Sequence, residues 1–123
     1  MAVRRADDHP QFELGGNTIT SLASPAIGAD ESVLFRIEVP PGGGLPKHRH
    51  DHLDVFTVER GSGTIRIDDE PTMVSMGDVV VVPTGAWHVF VAGDNGASIV
   101  ATMLAGTKLI REDGSESVPP WVS

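Results

Sequence analysis

The sequence contains no cysteine and no tyrosine. Without cysteine, disulfide bonds, thiolate nucleophiles and thiolate metal ligands are all excluded. Without tyrosine, no phenol of this chain can serve as an acid, a base or a radical. Chemistry in this protein must therefore come from imidazole, carboxylate, hydroxyl, amine or guanidinium groups.

Basic residues and long apolar runs are also scarce. Nine lysines and arginines against 17 acidic residues give a formal net charge of −8, which disfavours nucleic acids and anionic membranes as partners. No apolar run approaches the roughly 20 residues that span a bilayer. The N-terminus turns acidic at Asp7 and Asp8, where a signal peptide would become apolar. We therefore expect a cytoplasmic protein that binds neither nucleic acid nor membrane.

The chain carries a β pattern from end to end. Its 123 residues suffice for one domain with a core of its own. Apolar and polar residues alternate over residues 33–39, which predicts a strand with one buried face. Turn signals recur every ~8–12 residues, and no segment predicts a helix longer than two turns. The sequence therefore indicates an all-β sandwich or barrel.

Further strands are predicted between these turns. Residues 64–68 are expected to pair with residues 73–76 across a polar turn, after a separate strand over 54–59. The run Val79–Val82 is continuously apolar and β-branched, which predicts a strand buried on both faces. Residues 88–92 and 98–104 predict a hairpin, because Asn95-Gly96 lies between them.

Four of the five histidines fall in two short segments. His48 and His50 are two residues apart on one strand, so their side chains share a face. Asp54 follows with a carboxylate, and His88 belongs to the second segment. Neutral imidazole is the commonest protein metal ligand. If His88 reaches the same place, three nitrogens and one oxygen form a mononuclear metal site.

A single histidine on an apolar strand is more often a hydrogen-bonded core residue or an exposed one than a metal ligand. The spaced pair with a nearby carboxylate favours the metal interpretation. The second segment favours it further, because Pro83 and Gly85 stand at fixed offsets before His88. These turns also suit a metal-free barrel, so fold and site are separate predictions.

The two segments resemble the motifs of the cupin family, which are small β-barrels of the jelly-roll type. The first motif, G-x5-H-x-H-x3,4-E-x6-G, lies over residues 42–61 and has Asp54 in place of its glutamate. The second, G-x5-P-x-G-x2-H-x3-N, lies over residues 77–92 and has Ala92 in place of its asparagine. The positions that match are Gly42, His48, His50, Gly61, Gly77, Pro83, Gly85 and His88.

The resemblance implies a single cupin domain over residues 1–123, a jelly-roll β-barrel of two antiparallel sheets. Outside the motifs it leaves an N-terminal arm over residues 1–16 and a C-terminal tail over residues 107–123. The tail is polar until Val118–Val122, where we expect Trp121 to dock on an apolar surface. Small cupins often pair through sheet faces and edges, so we expect a homodimer, which this apolar tail could help to cover.

The resemblance also implies one divalent metal ion per chain, bound by His48, His50, Asp54 and His88. Iron, manganese, zinc, nickel, cobalt and copper all suit three imidazoles and a carboxylate. Aspartate is one methylene shorter than glutamate, by about 1.5 Å. The metal could therefore lie nearer this strand, a water could bridge Asp54 to it, or the three histidines could bind it alone.

Three further residues are candidates for the pocket beside the metal. Phe56 shares a strand face with Asp54, and Phe90 shares one with His88, so both are expected to line the cavity. Ordinary core packing would place them there as well. His52 has the same parity as the ligand histidines, although the family places this position in a connection beside the site.

The leading functional hypothesis is a small metal-dependent enzyme that resembles the dioxygenase-like cupins. Its substrate would be a small enolic, diketone or phenolic compound whose oxygens bind the metal. A non-redox cyclase, isomerase or lyase is the alternative among enzymes. A non-catalytic domain that binds or senses a small ligand is the alternative from another class, because the fold alone does not decide function.

Overall fold

The computed structural model describes residues 3–123, which form a curled barrel of antiparallel strands. Two short 3-10 helices, Pro25–Ile27 and Pro120–Val122, are the helical elements of this part of the chain, and neither could cross a membrane. The strands are β1 (Gln11–Leu14), β2 (Asn17–Ala23), β3 (Ser32–Val39), β4 (His48–His50), β5 (Asp54–Ile67), β6 (Glu70–Ser75), β7 (Val79–Val82), β8 (His88–Leu104), β9 (Leu109–Arg111) and β10 (Glu116–Ser117).

The long strands β5 and β8 pair with each other and belong to both faces of the barrel. The first half of β5 and the second half of β8 lie in a sheet with β1, β2, β3 and β7. Their other halves lie with β4, β6, β9 and β10. This arrangement of two antiparallel sheets confirms the predicted jelly-roll class.

The hairpin predicted at Asn95-Gly96 is wrong, because residues 88–104 form one continuous strand. Gly96 has a φ of 72°, and a Cβ there would lie 2.8 Å from the carbonyl oxygen of Val39. The glycine therefore bends β8 from one sheet to the other, where a turn would have reversed it. The strands predicted separately over 54–59 and 64–68 are likewise one bent strand, β5.

The predicted burial of Val79–Val82 on both faces is also wrong. Val80 and Val82 are buried, whereas Val79 and Val81 are 64% and 54% exposed. The side chains of Val79 and Val81 point to the outer face of the sheet, which no other element of the described chain covers. Periodicity could not reveal this, because both faces carry valine.

The hairpin predicted between residues 64–68 and residues 73–76 is confirmed, but its register differs: residues 62–67 pair with residues 70–75. Thr64 lies opposite Met73 and Ile67 opposite Glu70 in an antiparallel ladder. The reversal is a two-residue turn at Asp68 and Asp69, with φ values of 48° and 69°. Aspartate tolerates this left-handed backbone because its short side chain hydrogen-bonds locally.

Both terminal regions contribute to the barrel. In the N-terminal arm, β1 pairs with β2. In the C-terminal tail, β9 pairs with β4, the strand that carries His48 and His50. Trp121 is buried, and its ring lies 6.0 Å from that of Phe12, so the expected docking of this tryptophan occurs on the same chain. It leaves no part of Trp121 to cover a partner.

Candidate metal centre

Two neighbouring strands bring the three motif histidines together. His48 of β4 lies directly opposite His88 of β8 in the antiparallel register. His50 is two residues further along β4 and points to the same face. One ring nitrogen from each histidine lies within 4.8 Å of the others, and all three side chains are buried.

Hydrogen bonds to main-chain carbonyls orient each imidazole. The Nδ1 atoms of His48, His50 and His88 lie 2.8, 3.0 and 3.0 Å from the carbonyl oxygens of Pro46, Lys108 and Ala86. A carbonyl can only accept, so each Nδ1 carries the proton and donates it. Each Nε2 therefore keeps a free lone pair, the tautomer that a metal ion requires.

Burial keeps these imidazoles neutral. Desolvation lowers the pKa of His48 to about 3, with a further contribution from the neighbouring His88. Desolvation also lowers the pKa of His50 to about 4 and lowers that of His88. At neutral pH the three rings are therefore neutral, with a proton on Nδ1 and none on Nε2, and they can bind a cation through Nε2 without first releasing protons.

Asp54 begins β5 beside this cluster. Its Oδ2 atom lies 3.8 Å from Nε2 of His50 and 3.9 Å from Nε2 of His88. Its Oδ1 atom is buried and has no hydrogen-bond partner among the described residues. Burial raises the pKa of this carboxyl to about 7. An orphaned carboxylate oxygen beside three free imidazole lone pairs fits a divalent cation, which would supply the missing charge.

The cluster lies at one wall of a partly open cavity of about 60 Å³. Phe56 and Phe90 line this cavity, and their rings make an edge-to-face contact with centroids 6.0 Å apart. His52 lies outside the cavity, where its Nδ1 atom is 3.0 Å from Oδ1 of Asp51. The side chains that line the cavity are apolar except for the three histidines, Asp54 and Thr107.

Several lining residues were not identified from the sequence. Phe35 and Ile37 enter the cavity from β3, and the alternation over residues 33–39 had already marked their face as buried. Leu109, Trp121 and Val122 enter from the C-terminal region. The apolar run Val118–Val122 pointed to Trp121 and Val122 without indicating where they pack, and it does not include Leu109.

The fold and the histidine cluster together define a small β-barrel protein with a site able to hold a metal ion. The family model described as "Cupin domain" matches residues 35–105, more than half of the chain, and the chain therefore belongs to the cupin family. The match includes both segments that carry the histidines.

Comparisons with individual proteins agree with this family. A gentisate 1,2-dioxygenase from Ralstonia sp is 29% identical over 91 residues, which cover 68% of this chain and 26% of the relative. The tetracenomycin polyketide synthase protein TcmJ from Streptomyces glaucescens is 28% identical over 81 residues, which cover 64% of this chain and 54% of the relative. This chain thus spans about a quarter and about half of these curated relatives.

One solved structure matches this protein over a larger share of both chains. The polyketide cyclase RemF from Streptomyces resistomycificus superposes with a TM-score of 0.76 at 26% identity, and the match covers 87% of this chain and 81% of that one. The similarity therefore extends over nearly the whole barrel in both proteins.

The buried carboxyl of Asp54 leads to a pH-dependent prediction for the metal-free protein. Its pKa is about 7 in the folded chain against 3.8 ordinarily, so the folded protein retains a proton that the unfolded chain releases between these values. Protonated Asp54 therefore stabilises the folded protein at low pH, and this contribution to the free energy of unfolding is lost as pH rises through 7. We expect metal-free Asp54→Asn to be more stable than the unaltered protein by roughly 2–4 kcal/mol near pH 8.

Chemical denaturation at about pH 8 and about pH 4 measures this difference. Near pH 4 the free energies of unfolding of the two proteins should differ by less than about 1 kcal/mol, because the folded carboxyl is then protonated and the unfolded one is close to half protonated. The histidines are common to both proteins, so their own titration cancels in the comparison. Equal stability of the two proteins at pH 8 would contradict the predicted cost of the buried charge.

Proposed function

We propose that this protein is a metal-dependent enzyme that acts on a small enolic, diketone or phenolic compound. His48, His50 and His88, with Asp54, bind one divalent metal ion per chain. The observation that carries this proposal is the meeting of three neutral imidazoles and an unpartnered carboxylate at the wall of an apolar cavity. Apolar walls with a few convergent polar groups are typical of sites for small organic ligands.

The chain's own residues supply the remaining parts of such a site. The main-chain carbonyls hold the imidazoles in the metal-binding tautomer, and Phe56 and Phe90 offer flat apolar surfaces to a planar substrate. Asp54, with a pKa of about 7, can hold or release a proton near neutral pH where it is not itself bound. The ion, when bound, supplies Lewis-acid binding of the substrate oxygens and, if redox-active, the chemistry of O₂.

Oxidative, dioxygenase-like chemistry is our leading assignment. The match with a gentisate 1,2-dioxygenase, which covers 68% of this chain, supports it. A redox-neutral cyclase is the second candidate, and a separate observation favours it: the structural match with a polyketide cyclase covers most of both chains. Both reactions begin from an enol or phenol whose oxygens bind the metal, so the same cavity serves either.

Oxygen uptake and product mass distinguish the two reactions. Protein loaded in turn with iron, manganese and zinc would be incubated with salicylate, gentisate and acetylacetone as probes. A dioxygenase consumes O₂; ring cleavage of gentisate or salicylate yields one product heavier than the probe by one O₂ molecule, and cleavage of acetylacetone yields two fragments whose masses add up to the probe plus O₂. A cyclase consumes no O₂ and is tested with a linear polyketone, which loses water when a ring closes by condensation.

The identity of the metal bound after expression in the native host helps to distinguish the oxidative reaction from the redox-neutral one. Iron or manganese favours the oxidative reaction, and zinc favours the Lewis-acid reaction. A metal-loaded protein that binds the probes tightly but converts none of them, nor the polyketone, would contradict an enzymatic role. It would instead favour a binding or sensor domain.

We further propose that the protein forms a homodimer through the outer face of the sheet that contains β7. This outer face consists of residues whose side chains point away from the barrel on four adjacent strands. Val81, Val55, Thr102 and Leu34 form one row across it in direct register. Val79, Val81, Leu34 and Leu104 are each more than a third exposed. A contiguous apolar face of this kind marks an interaction surface, and two copies can cover it symmetrically.

The variant Val81→Glu tests this dimer. A dimer with a two-fold axis would bury the introduced carboxylate from both copies without a partner, which opposes association. We expect light scattering to give twice 13.0 kDa for the unaltered protein and 13.0 kDa for the variant. Met73→Glu is the matched control, because Met73 is 85% exposed on β6, away from this face. A mass of 13.0 kDa for the unaltered protein would refute the dimer.

A further inference from the structure

The cavity beside the histidines is smaller than the compounds proposed to enter it. Its volume is about 60 Å³, whereas an apolar protein cavity that binds benzene measures ~150 Å³. A phenolic ring therefore does not fit beside the three imidazoles in the structure as it stands. One wall of the cavity must move before such a ring can reach them.

Most of the wall is held by paired strands. Phe56 and Phe90, for example, lie on β5 and β8, which pair with each other and with further strands. Moving either phenylalanine backbone would break the ladder hydrogen bonds of the sheet to which it belongs. The wall formed by these strands is therefore the part least able to give way.

The C-terminal segment, residues 119–123, forms a wall of a different kind. Trp121 and Val122 line the cavity from this segment, which forms no strand ladder. Two main-chain hydrogen bonds attach it to the described remainder of the barrel. The amide of Ala26 donates to the carbonyl of Ser123 at 3.1 Å, and the amide of Gly106 donates to that of Val122 at 3.3 Å. Few main-chain hydrogen bonds would therefore have to break for this segment to move, and the burial of Trp121 and Val122 sets the remaining cost.

Trp121 supplies the bulk of this wall. Its indole is 8% exposed and packs against the ring of Phe12. An indole is larger than a benzene ring, so its displacement leaves room for one. The other tryptophan, Trp87, lies outside the cavity with its ring beneath the Arg49 guanidinium at 5.2 Å. Trp121 therefore lines the cavity, whereas Trp87 does not, which makes Trp87 a suitable control.

We propose that Trp121 is the residue that determines which substrates reach the metal centre: its indole closes the cavity in the free protein, and a planar ring enters by displacing it. The limit on the size of a bound compound follows from the volume of the cavity. The identification of the entering ring as a substrate rests on the function proposed above. Apolar pockets discriminate by size, and one ill-fitting group changes affinity roughly 10–200-fold.

Binding of phenol to metal-free protein tests this role without requiring turnover. Calorimetry would compare Trp121→Ala, Trp121→Phe and the control Trp87→Phe with the unaltered protein. We expect Trp121→Ala to bind phenol about tenfold more tightly or better, Trp121→Phe to fall between, and Trp87→Phe to match the unaltered protein. Equal phenol affinity in all four proteins would overturn the proposal.

Fluorescence gives a second readout that does not depend on the alanine variant folding. The chain has two tryptophans, so Trp87→Phe leaves Trp121 as the only reporter. Saturating phenol should shift its emission to longer wavelength as the indole leaves the apolar cavity. Unchanged emission at saturation would overturn the displacement. Failure of every enzymatic assay would leave both results intact, so the two proposals fail separately.

Discussion

His50→Ala, His48→Ala and His88→Ala are each expected to abolish stable metal binding. Each variant removes one of three imidazole nitrogens that lie within 4.8 Å of one another. Loss of a group that merely orients a ligand weakens metal binding by about 10–100-fold, so loss of a ligand should exceed 100-fold. Metal content after dialysis should fall from one ion per chain to near zero in each variant.

Two controls separate ligand loss from general damage. His52→Ala removes a histidine that lies outside the cavity and should retain the metal. Asp54→Ala should weaken retention less than any of the three histidine variants, because the imidazoles remain, and Asp54→Glu should restore the longer reach of the family's glutamate. Near-stoichiometric metal in all three histidine variants would refute the assignment.

Gly61→Ala is expected to destabilise the barrel more than any other glycine substitution in the two motifs. Gly61 has a φ of 78°, and a Cβ at this position would lie 2.1 Å from the carbonyl oxygen of Gly96. This contact is between the main chains of β5 and β8 at the bend, so no side chain can rotate to relieve it. Left-handed strain costs about 1–2 kcal/mol, and overpacking adds about 1–3 kcal/mol.

Gly77→Ala is the matched control. Gly77 has a φ of 94°, but a Cβ there would meet nothing within 4 Å. The free energy of unfolding of Gly77→Ala should therefore fall only by the cost of the left-handed backbone, about 1–2 kcal/mol. Denaturant unfolding of both variants measures the difference, which is the cost of separating β5 from β8. Equal losses in the two variants would show that the close approach at Gly61 is unimportant.

The sequence predicted well wherever one residue's neighbours in the chain decide its structure. Alternation over residues 33–39 identified β3 and its buried face, and the polar turn after residue 68 identified the β5–β6 hairpin. The i, i+2 spacing of His48 and His50 placed both on one face of β4. In each case the periodicity of a strand or the chemistry of a turn is a local property.

Predictions failed where the answer lay in a distant strand. Asn95-Gly96 is a common hairpin turn, but β5 pairs with β8 on both sides of it, so the ladder holds the strand extended. Val79 and Val81 are as apolar as Val80 and Val82, and they are exposed because nothing in the described chain packs on the outer face of their sheet. In the first case the pairing of distant strands overrode the local preference for a turn. In the second, the place of the strand in the barrel decided which valines are exposed.

The sequence by itself determined the class of barrel, the three imidazoles and the carboxylate that stands near them, because strand parity and motif spacing are written in the order of residues. Only the tertiary structure decided the tautomer of each ring, the burial that raises the pKa of Asp54, and the position of Trp121 in the cavity wall. These depend on carbonyls, neighbours and a C-terminal segment far away in the chain, and packing alone brings them to the site.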